Sequence, residues 1–438
     1  MHRVAVVGSG VGGLAAAWRL SAQPGVQVSL LEAGEHFGGH ANTVDLTLDG
    51  ITHGVDTGFL VFNHRTYPLL TRLFAEIGVE TAPADMSFSV QVPAGPGQGN
   101  ALEWSGTSLN TVFAQRRNLL RPGFWRMLAD IVRFNRQCTA IAEQQAEGDL
   151  RQPIGDFLDT HHFSEAFRRD YFLPMLGCIW SCPTEQMLRF PVATMIRFCH
   201  NHGLIQVTNR PQWHTVKGGS RNYVQRLLRD IADRRLRRPV LGLQRSSHGV
   251  VVQTPDGTST FDAVVLACHS DQALALLGGG ASAQEREVLG AIRYQDNTAV
   301  LHTDASVLPQ RRAAWAAWNY ERATDDQEQA RVCLHYWLNV LQPLPWQQPV
   351  IVSLNPSRPI DDALVHQRIT YAHPVFDMAA IDAQQRVPAL QGQQRTWFCG
   401  AWCGYGFHED GWRSGVTAAE GVLEARMGWS QHILQGAA

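Results

Sequence analysis

The chain has 438 residues, enough for two or three packed units with substantial cores. Apolar residues make up 45% and charged residues 17%, which excludes a disordered or fibrous chain, and a net charge of −2 argues against a nucleic-acid-binding surface. The basic residues are almost all arginine, with Lys217 the only lysine.

Val4–Val7 reads as an apolar strand that runs into Gly8-Ser9-Gly10-Val11-Gly12-Gly13, and Leu14–Leu20 follows with helical spacing. A second apolar strand, Val26–Leu31, ends in Glu32. Strand, glycine loop, helix, strand and acid in this order form a dinucleotide fingerprint. Gly8 permits the tight turn, Gly10 lets the backbone approach a pyrophosphate, and Gly13 lets the helix lie close on the strand. The N–H groups at the helix start, from Val11 and Gly12, are donors for phosphate oxygens. Glu32 is the expected acceptor for a ribose hydroxyl. Beyond it, Ala33 and the pair Gly38-Gly39, followed by His40, suit a chain folding back over a long cofactor.

Asp49-Gly50 separates Leu46–Leu48 from Ile51–His53, a two-residue hairpin signal. Val55-Asp56-Thr57-Gly58-Phe59 follows and reads on its own as a plain turn between strands, with Asp56 placed to hold the loop. Tyr67–Ile77 has helical spacing and stops at Gly78. Ser87–Val92 alternates as a strand, and 94–100 reads as a loop. From Leu109 to about Asn201 the pattern is mostly helical. There Arg116, Arg117, Arg121, Arg126 and Arg133 interleave with Phe124, Trp125 and Phe134, giving either a solvated face or a surface for an anionic membrane. The apolar run Phe172–Trp180 suits core or a greasy pocket.

Trp213–Ser220 precedes a helix at Tyr223–Ile231, and Pro239-Val240-Leu241 is expected to be a short strand. Gly249–Gln253 and Ser259–Asp262 flank Pro255-Asp256-Gly257 as a hairpin, and Ala263–Ala267 reads as a buried strand. Aromatic residues crowd the strand-like segments between Asn297 and Asn339. Residues 362–368 and 374–385 read as connecting segments. Thr396–Trp402 is a strand entering a loop that carries Tyr405, His408, Glu409, Gly411, Trp412 and Arg413, closed by a helix at Val416–Arg426. Two C-x-x-x-C pairs, Cys178/Cys182 and Cys399/Cys403, lack the companion ligands of a zinc site, so no metal is expected; Cys399 and Cys403 are expected to line the cofactor cleft. The first strand starts near residue 3 and no apolar run reaches the ~18 residues of a membrane span, so the expected location is cytoplasmic, with peripheral membrane contact through the arginine-rich stretch.

The fingerprint with its second glycine pair resembles the flavin amine oxidase superfamily, whose members bind FAD; where their pattern has Arg after the glycine pair this chain has His40. GGHANTVDLTLDG, VDTGFLVFNHRTYP, DMSFSV, LHTD and GAWCGYGFHEDGWRSG are similar to a bacterial family of NAD/FAD-binding oxidoreductases and to the flavoprotein half of plant cyclopropane fatty-acid synthases. The resemblance implies an α/β fold. It consists of a discontinuous Rossmann-like FAD-binding domain over 1–80, 205–285 and 390–438, with a substrate-binding domain inserted at 81–204 and 286–389, helical first and β-rich second. It further implies FAD contacts from Thr57, Gly58 and Phe59, from Val240 at the adenine, and from Gly400, Gly411, Trp412 and Arg413 near the flavin. The lysine that amine oxidases carry near the flavin is missing from the strand where His302 stands, which makes His302 a candidate acid/base beside Tyr405, His408 and Glu409. The reaction expected is hydride removal from an apolar acyl lipid. The alternatives are oxidation of a small amine, or a non-catalytic FAD protein that partners a lipid methyltransferase; no nucleic-acid partner is expected.

Overall fold

A computed structural model describes residues 1–92, 102–144, 152–180, 184–206, 210–322 and 332–436. The expected loop at 94–100 and the pairing of Cys178 with Cys182 lie outside the described residues.

One sheet has five strands in the order Asp233–Arg235, Val26–Leu31, His2–Val7, Ala263–Leu266, Thr396–Phe398, parallel throughout. Its central strands are buried on both faces, as continuous Val/Ala/Leu runs require. The helix Val11–Ser21 crosses between the first two strands and packs against the C-terminal helix His408–Gly436. That packing is close because a Cβ at Gly415 would lie 2.1 Å from the Gly12 carbonyl oxygen.

A second sheet of seven strands runs Val365–Val375, Arg293–His302, Ile351–Leu354, Cys333–Trp337, Trp318–Glu321, Phe88–Val92, Leu102–Ser105. Helices from Leu109–Val112 through Val192–Asn201 cover part of it, led by Pro122–Glu143, whose buried face carries Phe124, Met127, Phe134 and Cys138. Aromatic rings tie this layer together: Phe134 stands 5.0–5.5 Å from Phe163, Phe167 and Phe172.

Both expected hairpins form, Thr43–Leu48 with Ile51–Asp56 and Val250–Thr254 with Gly257–Phe261. In the first, Asp49 and Gly50 both take positive φ, the geometry of a tight hairpin turn. Three expectations are corrected. Val240-Leu241 is not a strand; the next strand begins at Gly242. Residues 362–368 and 374–385 are not merely connecting segments, because Val365–Val375 is a long edge strand and Met378–Arg386 a helix. The last helix begins at His408, not Val416, because Asp410 accepts from the Tyr405 and Phe407 N–H groups and so starts the first turn.

Candidate active site and cofactor cleft

The first strand delivers Gly8 to the carboxyl edge of the parallel sheet, where ligands of such sheets bind. A Cβ at Gly13 would lie 2.0 Å from the Gly8 carbonyl oxygen, so the helix can seat on the loop only with glycine there. Gly10 is different: its Cβ direction is open, with nothing within 4 Å. Gly10 caps the helix without any side-chain bond, and the first turn holds no acid. Free N–H donors and the positive end of the helix dipole therefore face the cleft beside an open backbone. Glu32 holds this loop. One carboxylate oxygen accepts from the Ser9 N–H (2.8 Å) and O–H (2.6 Å), the other from the Gly34 N–H (2.7 Å). A carboxylate has about four lone-pair positions, which leaves capacity for a ribose hydroxyl. The second glycine pair closes over the first loop, with the Gly38 N–H donating to the Ser9 carbonyl at 3.0 Å.

From here a cleft of about 930 Å³ runs along the sheet edge. Arg238, Val240, Gln272 and Leu276 line it with Glu32. Elsewhere along it stand His40, Gly58, Phe59, Tyr371, His373, Gly400 and His408. The His40 ring stacks on Tyr371 at 4.7 Å and lies 5.2 Å from His373. His40 Nε2 is buried without a hydrogen-bond partner, a costly state that a polar group in the cleft would relieve. Burial holds the His40 imidazole well below its ordinary range. His373 is pushed down to about 4 by burial and then by His269, and His408 to about 3 by burial. These rings are uncharged at neutral pH. The His373 tautomer follows from its neighbours: the Asn297 amide oxygen accepts from Asn355 Nδ2, so Asn297 Nδ2 donates to His373 Nδ1 (2.8 Å). The proton of His373 is therefore on Nε2. An open cradle at Gly10, an uncapped helix start and an orphaned imidazole nitrogen fit an extended FAD, its diphosphate at the helix. When bound, FAD supplies the two-electron chemistry.

Of the sequence-derived cofactor residues, Gly8, Gly10, Val11, Gly12, Glu32, Ala33, Gly38, Gly39, His40, Gly58, Phe59, Val240 and Gly400 line the cleft. Gly13 sits behind it, where its role is steric. Thr57 is behind it too, its hydroxyl 2.8 Å from the Tyr371 hydroxyl and donating to the Asn42 carbonyl. Gly411, Trp412 and Arg413 are not among the lining residues. Trp412 packs on Trp18, and the Arg413 guanidinium is half-exposed beside Glu409 and Asp410. They sit in the first turns of the C-terminal helix, whose start turns His408 toward the cleft and the residues after it toward the first helix. Cys399 and Cys403 do not line the cleft either; Cys268 does.

Three catalytic candidates, His302, Glu409 and Tyr405, are corrected. His302 does not line the cleft. It is fully buried, with Nε2 2.7 Å from Ser353 Oγ, and Ser353 in turn meets His335 Nδ1 at 2.6 Å. His335 reaches Glu321, whose carboxylate is held by Arg358, Gln91 and Ser357. Among the described residues Glu321, Cys333 and His335 cluster closely enough for a metal, but the guanidinium already occupies that carboxylate, so the group reads as structural. Glu409 is also no cleft residue. Its two oxygens accept from the N–H groups of Leu69 and Leu70, each at 3.0 Å, capping the helix Pro68–Glu76. That helix has no side-chain cap of its own. Glu409→Gln is accordingly expected to lower stability by about 1–2 kcal/mol with the rate on bound substrate unchanged, checked by thermal melting beside steady-state turnover. Tyr405 lies 6.2 Å from Phe198 at the cleft margin but does not line it, whereas His408 does, stacked on Phe59 at 3.7 Å with Nε2 3.1 Å from the Tyr223 hydroxyl. Lys217 is at the surface, paired with Glu80. The sequence reading missed Tyr371, His373 and Asn297. Period-2 spacing of Ile369, Tyr371 and His373 was the available signal, since alternate residues of a strand share one face.

The structure has relatives of the same fold. A protein provisionally described as a protoporphyrinogen oxidase from Exiguobacterium sp. 255-15 superposes with a TM-score of 0.68 at 17% identity, over 97% of this chain and 99% of that one. Cyclohexylamine oxidase from Brevibacterium oxydans IH-35A gives 0.67 at 15%, over 97% and 99%. A conjugated-linoleic-acid-producing (CLA-producing) fatty acid isomerase from P. acnes gives 0.64 at 15%, over 95% and 97%. Comparison with curated protein sequences gives no significant match. The family model for flavin-containing amine oxidoreductases matches residues 11–305, about two thirds of the chain. With the glycine loop, the orphaned His40 and the cleft in place, the chain belongs to the flavin-containing amine oxidoreductase family and is an FAD-dependent oxidoreductase.

Proposed function

We propose that the substrate is an apolar, acyl-bearing small molecule from which a hydride is removed at carbon. The observation that carries this reading is the composition of the cleft wall. Met86, Cys178, Ile179, Phe198, Leu204, Trp213, Trp318, Tyr336 and Phe407 line it, and burial keeps the histidines beside them neutral, His202 at about 4. Among the described lining residues the carboxylates are Glu32, committed to the glycine loop, and Asp296. A wall of this kind desolvates an alkyl chain at a gain of roughly 0.8 kcal/mol per methylene, whereas a cation buried there would need a carboxylate partner. Among the polar groups of the cleft is His373, a neutral donor at Nε2 oriented by Asn297. The fold accommodates both chemistries, since one relative is named for a fatty acid and another for an amine.

Asp296 favours a second reading, oxidation of a small amine. Anaerobic mixing of the FAD-loaded protein with free fatty acids, acyl lipids and polyamines separates the two. Loss of flavin absorbance with the acyl compounds and not with the amines is expected. Bleaching by polyamines alone gives the second reading, and a stable spectrum with every compound points to a non-catalytic flavoprotein.

A further inference from the structure

The segment from Leu109 to Val132 presents a run of apolar side chains to solvent. Leu109 is 78% exposed, Leu120 87%, Trp125 49% and Val132 62%, with Leu119 beside them. Most of the large exposed hydrophobic residues of the described structure fall in this one stretch. They are held as a surface rather than left loose. The Trp125 indole N–H donates to the Leu119 carbonyl at 2.9 Å, and its ring packs 5.2 Å from Phe113. Trp125 is thereby fixed over the turn that carries Leu119 and Leu120. Arginines surround this tip: Arg116, Arg117 and Arg126 are exposed and Arg121 half-exposed. Between Trp104 and Ala129 the sequence contains these four arginines and no carboxylate.

We infer that this tip is a docking surface for an anionic lipid bilayer. Tryptophan with leucine at a rigid tip suits the interfacial layer, where an amphipathic ring sits at headgroup depth. The four positive charges around it, of which Arg126 is also paired with Asp130 at 3.5 Å, complement a negatively charged leaflet. A soluble partner would fit such a tip with a groove and discrete carboxylates, whereas a bilayer requires only the apolar projection and the charge ring that are present. The mode of attachment is peripheral, since no helix among the described residues is long and apolar enough to cross a membrane. The helix that begins at Pro122 packs on Val192–Asn201, and Phe198 of that helix lines the cleft, so the tip and the apolar wall belong to one helical layer. The surface is inferred from exposure and charge alone and stands whether or not the substrate is a lipid.

Co-sedimentation of the full-length, FAD-loaded protein with vesicles tests it. Wild type should pellet with phosphatidylcholine vesicles containing phosphatidylglycerol and much less with pure phosphatidylcholine, and added salt should release it. Leu120→Asp and the double variant Arg116→Gln/Arg126→Gln should each bind more weakly while keeping the flavin spectrum and the rate on any monomeric substrate. The expected loss is about fivefold in partition coefficient for each arginine removed. Equal binding to both kinds of vesicle, undiminished binding by both variants, or absence of binding by wild type would overturn the inference. So would a wild-type dimer in analytical ultracentrifugation that Leu120→Asp dissociates, since a second copy would then own the surface.

Discussion

Gly13→Ala is expected to yield a protein that has lost its FAD and melts at a markedly lower temperature. The added methyl would stand 2.0 Å from the Gly8 carbonyl oxygen, 3.0 Å from its carbon and 3.1 Å from Ala267 Cβ. The first two are backbone atoms of the loop itself, so no rotamer change relieves the overlap. The helix must lift from the strand, at a cost of about 3 kcal/mol or more. As it lifts, its N-terminal N–H groups leave the position from which they address the diphosphate. Gly10→Ala is the matching control. Its methyl meets no protein atom within 4 Å, so the fold should melt near wild type while the methyl enters the cradle and weakens FAD binding. Thermal melting and flavin retention through gel filtration, measured on both variants, distinguish a packing defect from a crowded ligand site. A Gly13→Ala protein that stays yellow and melts like wild type would contradict the loop geometry described above.

Asp56→Ala should be the most destabilising single change away from that loop, at about 3–5 kcal/mol. The Asp56 carboxylate is buried and ties three segments together. It accepts from the Ser220 N–H and hydroxyl, from the Thr43 hydroxyl and from Gln342 Nε2. These bonds hold the hairpin Thr43–Asp56 against the helix Arg221–Arg229, and Thr57-Gly58-Phe59 follows directly. Burial nevertheless dominates, raising the Asp56 carboxyl from 3.8 to about 6, while the hydrogen bonds pull the other way. The sign of the pH effect follows. The folded state binds this proton more tightly than the unfolded chain, so the contribution is fully present below pH 3.8. It is lost as pH rises through about 6, a change of about 3 kcal/mol. Asp56→Asn, which keeps the shape without the titration, should flatten that part of the stability–pH curve. Urea unfolding of both proteins at pH values spanning 4 to 7 measures it, and parallel curves would remove Asp56 as the cause.

His302 shows where reading a strand in isolation fails. Its strand was legible, as one of the strand-like segments between Asn297 and Asn339. Arg293–His302 has period-2 alternation, and Ala299 and Leu301 pack in the same core as the cleft-side residues, whereas Val300 packs on the opposite side with Ile351. His302 shares the parity of Val300, and the register slips between Leu301 and His302, so its ring joins Ser353 away from the cleft, whereas Tyr294 and Asp296, of the same parity nearer the start of the strand, line it. Asn297 has the other parity and meets His373. Which part of a strand adjoins the cleft, and by which face, is set by the packing of the sheet and not by the alternation alone. Glu409 fails for a related reason. The sequence placed this acid on a loop ahead of the last helix, but its oxygens serve a different helix, 340 residues earlier.

The glycine fingerprint, by contrast, was determined by the sequence itself. A strand, a turn and a helix within some thirty residues obey backbone sterics, and those do not depend on what packs around them. The same holds for the two hairpins, whose two-residue turns, Asp49-Gly50 and Pro255-Asp256, dictate their own register. The composition of the cleft wall was decided only in three dimensions, because Phe198, Trp213, Trp318, Tyr336 and Phe407 come from five separated segments. Their convergence depends on how two sheets and a helical layer pack, and packing is a long-range outcome that no local pattern encodes. Alternation along Val365–Val375 could say that Tyr371 and His373 share a face; only the folded chain set that face against His40.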